Sequence, residues 1–328
     1  MAVRASALAA AAGLLVATLG AGTYMFSMPG TSYSGPLPPL TPQEAEIAGN
    51  LRRHVIAVAS REHNMLHPAA LEAAARYIEE TLASFGYDVK PQPYEAEGGR
   101  VRNIEASAQG TRNEAIIVGA HYDSVVGSPG ANDNGSGVAA ALELARLMRD
   151  GGHRRTLRFV WFVNEEPPYY FGDDMGSRRY VKLIKARGDA IAGMFSLETI
   201  GYYSDERGSQ RYPPPLGHFY PNTGNFIGFV ANVASRAWLR SAIGAFRRHA
   251  RFPSEGVAAP ALIPGIDWSD HRSFWEAGFP ALMITDTALF RYPHYHEGSD
   301  TPDKIDYDRL ARLVTGLRDM LAELAGPS

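Results

Sequence analysis

The chain has 328 residues, 45% of them hydrophobic and 20% charged, with a formal net charge of −3. That length and apolar content can bury one large core and do not force a second domain. The charge balance leaves no basic footprint for nucleic acid, and without a cysteine there is neither a disulfide framework nor a thiolate site.

Arg4 is the only charged side chain before Glu44, and Ala5 to Met28 form an apolar stretch of 24 residues rich in Ala, Leu and Gly. Such a stretch can cross a ~30 Å hydrocarbon core. No clean small-x-small cleavage site follows it. Residues 1–28 therefore read as an uncleaved signal anchor, with a cleaved signal peptide and a secreted or periplasmic product as the alternative. The lone Arg4 on the short side predicts a single-pass membrane chain with its N-terminus inside and its main domain outside the cytoplasm. The Pro-rich residues 29–40 read as an extended spacer, and 41–328 as one folded domain.

From Thr41 onward the pattern is α/β. Thr41-Pro-Gln-Glu has the form of a helix start, with Pro at N1 and Glu at N3, leading a helix to about Ala59. A second helix runs from about Leu71 to Ser84 and stops at Gly86. Strands are predicted at 101–107, 115–120, 158–164, 191–197, 226–230 and 280–285. Helices are predicted at about 136–149, 176–186, 230–249 and 305–324. Strands alternating with helices indicate a mostly parallel, doubly wound sheet. The stretches 204–224, 251–268 and 167–175 are too long or irregular to be plain connectors and are expected to wall a cleft.

Chemistry-bearing residues follow the buried-strand runs. Ala115-Ile-Ile-Val-Gly-Ala delivers His121 and Asp123 at its carboxyl end, and twelve residues after His121 a Gly-rich turn presents Asp133 before a helix. Arg158-Phe-Val-Trp-Phe-Val-Asn ends in Glu165-Glu166, and Ala192-Gly-Met-Phe-Ser-Leu ends in Glu198. A late loop offers His294 and His296. Carboxyl ends of parallel strands are where α/β folds build ligand sites, so His121, Asp133, Glu166, Glu198 and His296 form a candidate metal set. Two histidines with three carboxylates suit zinc better than magnesium, which favours all-oxygen shells.

These motifs resemble those of the M28 family of zinc peptidases: HYD at 121–123, NDNGSG at 132–137, EE at 165–166, LET at 197–199 and YHEGSDT at 295–301, with SDHRSF at 269–274 followed by Gly278-Phe-Pro-Ala. The resemblance covers roughly residues 45 to 320 in the right order. It implies a three-layer α/β/α sandwich of phosphorylase/hydrolase type with a mostly parallel mixed sheet, whose first strands are antiparallel. It further implies an exopeptidase, of aminopeptidase type, acting on peptide substrates through a hydroxide bound by two zinc ions. Carried over, His121 and Glu198 hold one zinc, Glu166 and His296 the other, and Asp133 bridges them, which offsets the repulsion of ions about 3.5–4 Å apart. Glu165 becomes general base and then acid, Asp123 orients the His121 imidazole, and Tyr295 donates to the oxyanion. The YHxxxDT match selects His296 over His294.

Asn132 and Asn134 read as turn residues, and Asp270 and His271 as groups behind the ligands or at a helix cap. His54, His63, His67, His153, His218 and His249 lack a ligand-spaced partner and read as structural or surface groups. Two departures stand out: the 167–175 insertion after Glu166, and Glu198 where many family members carry Asp. The competing readings are a glutaminyl-cyclase-like acyltransferase with one zinc, and a non-catalytic membrane-tethered binding ectodomain. Oligomeric state leaves no sequence signal.

Overall fold

The computed structural model describes residues 20, 22 and 24–327. The expected anchor at Ala5–Met28 lies mostly outside the described residues; among those described, no helix is long and apolar enough to cross a membrane.

Helix α1 (Pro42–Val58) starts as expected. Thr41 Oγ1 accepts from the Glu44 amide at 3.2 Å while Glu44 Oε2 accepts from the Thr41 amide at 2.7 Å, a closed capping box. Helix α2 (Pro68–Ser84) follows, then a hairpin of β1 (Lys90–Ala96) and β2 (Gly99–Ala108). The alternation β3 (Arg112–His121), α3 (Gly137–Met148), β4 (Arg155–Phe162), α4 (Gly176–Arg187), β5 (Ile191–Glu198) comes next. The chain closes with β6 (Ile227–Ala231), α5 (Arg236–His249), β7 (Ser254–Ala258), α6 (His271–Glu276), β8 (Ala281–Thr285) and α7 (Tyr307–Ala325).

The eight strands form one mixed sheet in the order β1-β2-β4-β3-β5-β8-β6-β7. Strands β4, β3, β5 and β8 are mutually parallel at its centre, β1 and β2 pair antiparallel on one side, and β6 runs antiparallel to β8. Helices α1, α2, α3, α5 and α7 cover one face around the main core, which includes Ile116, Val118, Phe159, Trp161, Phe195 and Leu197. Helices α4 and α6 cover the other around Ile117, Phe162, Met194 and Phe274. With both faces covered, the central strands read as continuous apolar runs rather than alternating ones, which is why β3, β4 and β5 were visible in the sequence. Their carboxyl ends carry the buried His121, Glu165, Glu166 and Glu198, and they set the site.

Two strands, the short helix α6 and the start of α5 differ from expectation. Strand β1 was not expected: its Lys-Pro-Gln-Pro start lacks an apolar face, which an edge strand tolerates. Strand β7 lies inside the stretch read as the 251–268 loop. Helix α5 begins at Arg236 rather than at 230, because Val230 and Ala231 still belong to β6. Residues 24–38, which include most of the expected spacer, pack against the domain. Phe26 stacks on Phe219 with ring centroids 4.4 Å apart, Arg247 donates to the Pro29 and Gly30 carbonyls at 3.2 and 3.3 Å, and Ser32 Oγ accepts from the Ser254 amide at 2.9 Å.

Candidate metal centre

The turn after β3 is the keystone of the site. Gly130 adopts φ +70, and a Cβ there would lie 2.5 Å from the Asp133 carbonyl, so only glycine lets the chain fold back on itself. Asn132 and Asn134 fasten this turn to its neighbours. Asn134 donates to the Leu197 carbonyl at 2.8 Å and accepts from the Thr199 amide at 3.1 Å; Asn132 accepts from the Gly201 amide at 2.8 Å. Both are structural, as read, and together they clamp the Asp133 turn to the end of β5.

Around this turn the structure brings together all five residues of the candidate set. His121 Nε2 lies 3.3 Å from Asp133 Oδ1 and 3.4 Å from Glu198 Oε2. His296 Nε2 lies 3.1 Å from Asp133 Oδ2 and 3.4 Å from Glu166 Oε2. Asp133 thus turns one oxygen to each imidazole. Two ligand atoms each ~2.0–2.1 Å from a tetrahedral ion lie ~3.3 Å apart, so these separations have the size a shared zinc requires. His121, Asp133 and Glu198 form one metal-competent group, Asp133, Glu166 and His296 another, and His121 with Glu165 and Glu166 a third that Asp133 does not join.

The donor atoms carry a second signature. His121 Nε2, Asp133 Oδ2, Glu166 Oε1 and His296 Nε2 are buried and have no hydrogen-bond partner. Buried polar atoms are rarely left so, because each costs about 1–3 kcal/mol unpartnered. Four on convergent ligands fit a cation. Protonation tells the same story. Burial, and behind it the neighbouring Glu198 and Glu166 carboxylates, hold Glu165 well above the usual carboxylate range against the pull of His121. Burial and the Asp133 charge push Glu166 up to about 7. Burial works against the His121 imidazolium, yet Glu198 and Glu165 outweigh it and hold its pKa well above the ordinary value. These shifts mark a crowded anionic cluster that a bound cation would stabilise.

Supports differ in part from expectation. The Asp123 carboxylate accepts from the amides of both Glu165 and Glu166 at 3.1 Å, while His121 Nδ1 meets the Asp123 backbone carbonyl at 3.0 Å. Its carboxylate stands 3.7 Å from Nδ1, so the imidazole is oriented by the Asp123 backbone and the side chain fixes the EE pair. Tyr295 stacks on His296 at 3.9 Å and lines the adjoining cleft. His294 pairs with Ser299 Oγ at 2.8 Å and joins none of the metal-competent groups. The six other histidines set aside from the sequence also stay outside those groups; His54, for one, is buried against Tyr77 and Glu143. Non-glycine residues with positive φ sit at or beside the site: Asn164 before the EE pair, Thr199 after Glu198, and His296 itself.

Sequence reasoning missed several groups that hold the ligands. Asp300 accepts from the Asn132 amide at 2.8 Å, the Asp133 amide at 3.1 Å and the Tyr292 hydroxyl at 2.6 Å, buttressing the bridging residue. It stands inside the YHEGSDT motif and was visible there. Ser269 and Thr199 each donate to Glu198 at 2.8 Å, and Asp286 accepts from Asn132 at 2.9 Å. Asp270 is fully buried at the start of α6, caps nothing, and neither of its oxygens has a partner. His271 bonds the Ile266 carbonyl at 2.8 Å.

A cleft of about 800 Å³ opens beside Glu198 and Tyr295. Two of the three expected stretches wall it, through Tyr212, Leu216 and Tyr220 and through Ile266 and Trp268. The 167–175 insertion does not line this cleft. It bridges the β1–β2 hairpin and the 260s, with Tyr169 donating to the Glu97 carbonyl at 2.6 Å and Tyr170 to the Asp267 carbonyl at 3.1 Å.

A model of peptidase family M28 matches residues 103–321. The chain is 37% identical over 260 residues to the uncharacterized protein YfbL of Escherichia coli K12, covering 76% of this chain and 80% of YfbL. It is 28% identical over 222 residues to a probable leucine aminopeptidase of Trichophyton verrucosum, covering 63% of this chain but only 53% of that protein. Among solved structures, the zinc aminopeptidase BSAP of Bacillus subtilis superposes with a TM-score of 0.66 at 16% identity, covering 89% of this chain and 97% of that one. A Porphyromonas gingivalis glutaminyl cyclase superposes with a TM-score of 0.61 at 20% identity, covering 86% and 98%. These structural likenesses establish a shared α/β architecture. Since the family model spans most of the chain, from β2 to the last helix, the protein belongs to peptidase family M28.

Proposed function

We propose that the chain is a zinc-dependent exopeptidase that removes N-terminal residues from peptides, with two zinc ions at the cluster. The observation that carries this reading is the division of Asp133, whose two oxygens face two separate imidazole–carboxylate groups. His121 and Glu198 would hold one ion, Glu166 and His296 the other, and Asp133 both. Bound there, zinc would supply Lewis-acid polarisation of the scissile carbonyl and acidify water towards pKa ~7.

The remaining steps belong to the chain. Glu165 is the carboxylate left over when both groups are filled, with Oε2 at 3.8 Å from His121 Nε2. Its backbone is pinned by Asp123, so its carboxylate is aimed rather than mobile. It takes a proton from the attacking water and returns it to the leaving amine. Tyr295, stacked on His296 at the cleft's inner end, donates to the oxygen of the tetrahedral intermediate. Membership of the peptidase family, and the probable leucine aminopeptidase among its relatives, support a substrate bearing a free amino group. Chain position follows the same proposal: the apolar stretch that starts at Ala5 anchors the protein in the membrane, and its last residues, packed on the domain from Tyr24 to Met28, hold the enzyme outside the cytoplasm.

The test is a substrate panel with free and blocked N-termini, read beside zinc content. The expected result is two zinc per chain, cleavage of free-amine substrates only, and loss on chelation. Glu165→Gln should retain zinc and lose turnover by at least about a thousandfold. Near-normal turnover by that variant would overturn the assignment of the base. One zinc per chain with cyclisation of N-terminal glutamine would replace the reading by an acyltransferase. Absence of any turnover with zinc bound would favour a binding ectodomain.

A further inference from the structure

The cleft lies against one face of the β5–β8–β6–β7 half of the sheet, and a single cross-strand row runs along its floor. Register pairs Glu198 with Thr285, Thr285 with Gly228, and Gly228 with Glu255. Paired residues in adjacent strands point to the same face, so a carboxylate stands at each end of this row. Gly256, the next residue along β7, confirms the direction: a Cβ there would run into Ile243 of α5, on the opposite face. Between the two carboxylates Gly228 leaves the floor bare.

Glu255 is anomalous in its setting. The cleft around it is built from Tyr212, Tyr220, Phe226, Met283 and Phe290, and the Glu255 side chain is only 26% exposed. Among the described residues no group donates a hydrogen bond to it. The hydroxyls of Tyr212 and Tyr220, the two flanking phenols, are spent on the Pro221 and Gly256 carbonyls at 2.7 Å. The cation nearest in the structure is Arg247 of α5, whose Nη2 stands 3.9 Å from Glu255 Oε2, too far to hydrogen-bond. Arg247 instead donates to Ser254 and to the Pro29 and Gly30 carbonyls. Glu255 is therefore an acceptor whose charge is balanced nearby and whose hydrogen bonds are unmade, at the far wall of an apolar cleft.

We propose that Glu255 is a specificity-determining residue that accepts a hydrogen bond from the side chain of the substrate's N-terminal residue, and that this residue is preferentially tyrosine. The inference rests on the aminopeptidase reading above. A balanced carboxylate calls for a neutral donor rather than a second cation, and walls of aromatic rings call for a flat apolar stem. Three strand spacings of ~4.8 Å separate the Cα atoms of Glu198 and Glu255 by ~14 Å. Both side chains rise from the same face, so that span holds the substrate's contact to the metal site at one end and a ~2.8 Å hydrogen bond at the other, with room between for the ~6.5 Å from a tyrosine Cα to its hydroxyl at standard bond lengths. Phenylalanine fills the same space but leaves the buried acceptor bare, and sites built for a hydroxyl discriminate against its absence.

The test compares tyrosyl, phenylalanyl, leucyl and lysyl 4-nitroanilides on the zinc-loaded full chain. Calorimetry of tyrosinamide and phenylalaninamide on the same protein gives a readout that needs no turnover. The expected kcat/KM ratio for Tyr over Phe is about tenfold or more, matched by tighter binding of tyrosinamide. Glu255→Leu should bring both ratios to within about twofold of unity, and Glu255→Gln, which keeps shape and one acceptor oxygen, should fall between. A Tyr/Phe ratio near one in the unmodified enzyme, a ratio unchanged by Glu255→Leu, or lysine preferred over tyrosine would overturn the proposal. Failure to cleave all four anilides would count against the aminopeptidase reading instead, and the amide binding ratio would still decide the role of Glu255.

Discussion

Replacing Asp300 by asparagine should loosen the bridging ligand without touching it. Asp300 is fully buried and accepts three hydrogen bonds, two of them from the amides of Asn132 and Asp133. Asparagine keeps the shape but turns one oxygen into a donor, which then faces an N–H or the Tyr292 hydroxyl. Hydrogen bonds to a charged acceptor contribute ~1.5–3 kcal/mol, and a buried donor left unmade costs ~1–3 kcal/mol, so the net loss should be ~3 kcal/mol. At roughly 2 °C per kcal/mol for a domain of this size, melting should fall by about 6 °C. The larger signal is in metal binding: with the Asp133 backbone unpinned, zinc affinity should fall about 10–100-fold. Burial raises the Asp300 carboxyl to about 6, so both measurements belong well above that pH, where the native side chain is ionised. Zinc competition against a coloured chelator reads the affinity, and calorimetry of the metal-free chain reads the stability. A lowered melting point with unchanged zinc affinity would show that Asp300 braces the fold but not the ligand, and would refute the reasoning.

Three further outcomes follow from the same geometry. The chelated protein should lose stability as pH rises from about 5 to 8. Burial raises Glu166, Asp270 and Asp286 to about 7, and groups raised in the folded state stabilise it below their unfolded values and lose that contribution as pH passes the folded ones. His296 adds to the same trend: burial opposes its protonation, but hydrogen bonds to Asp133 and Glu166 outweigh this and raise it to about 10. Zinc should flatten the profile, and a chelated protein more stable at pH 8 than at pH 5 would contradict the sign. Tyr295→Phe should lower kcat about 10–100-fold with zinc content unchanged, measured by steady-state kinetics and metal analysis; an unaltered kcat would remove Tyr295 from the oxyanion. His296→Ala should cost the protein one zinc, whereas His294→Ala, which loses only a contact to Ser299, should keep both. Metal analysis of the two variants decides between the histidines.

How much of this was legible in the sequence depended on which faces are buried. Strands β3, β4 and β5 are covered on both sides, so their apolar runs announce themselves and their ends point to His121, Glu165, Glu166 and Glu198. The edge strands do not. β1 carries two prolines and polar side chains, and β7 is Ser-Glu-Gly-Val-Ala, which no period-two rule identifies, so Glu255 was read as part of a loop. The supports were masked in role, though Asp300 and Ser269 stand inside the quoted motifs. Asp300, Asp286 and Ser269 look like turn residues in one dimension, and their value comes from amides and carboxylates up to 168 positions away. Asp123 shows the limit most clearly: it sits two residues from His121, yet its carboxylate serves Glu165 and Glu166.

The segment 24–38 lies where sheets are most exposed to mispairing. Strand β7 ends the sheet, and the Ser254 amide at its start is satisfied by Ser32 rather than by another strand. Alongside it Met28 fills the space above Gly256, and Phe26 props Phe219 next to the cleft wall. Cutting the chain at Thr41, the tidy boundary that the first helix cap invites, would bare that edge and strip α5 of its partners for Arg240 and Arg247. Such a truncated enzyme is expected to self-associate in solution through β7. What reads as a tether is also the protein's own guard against sticking to its copies.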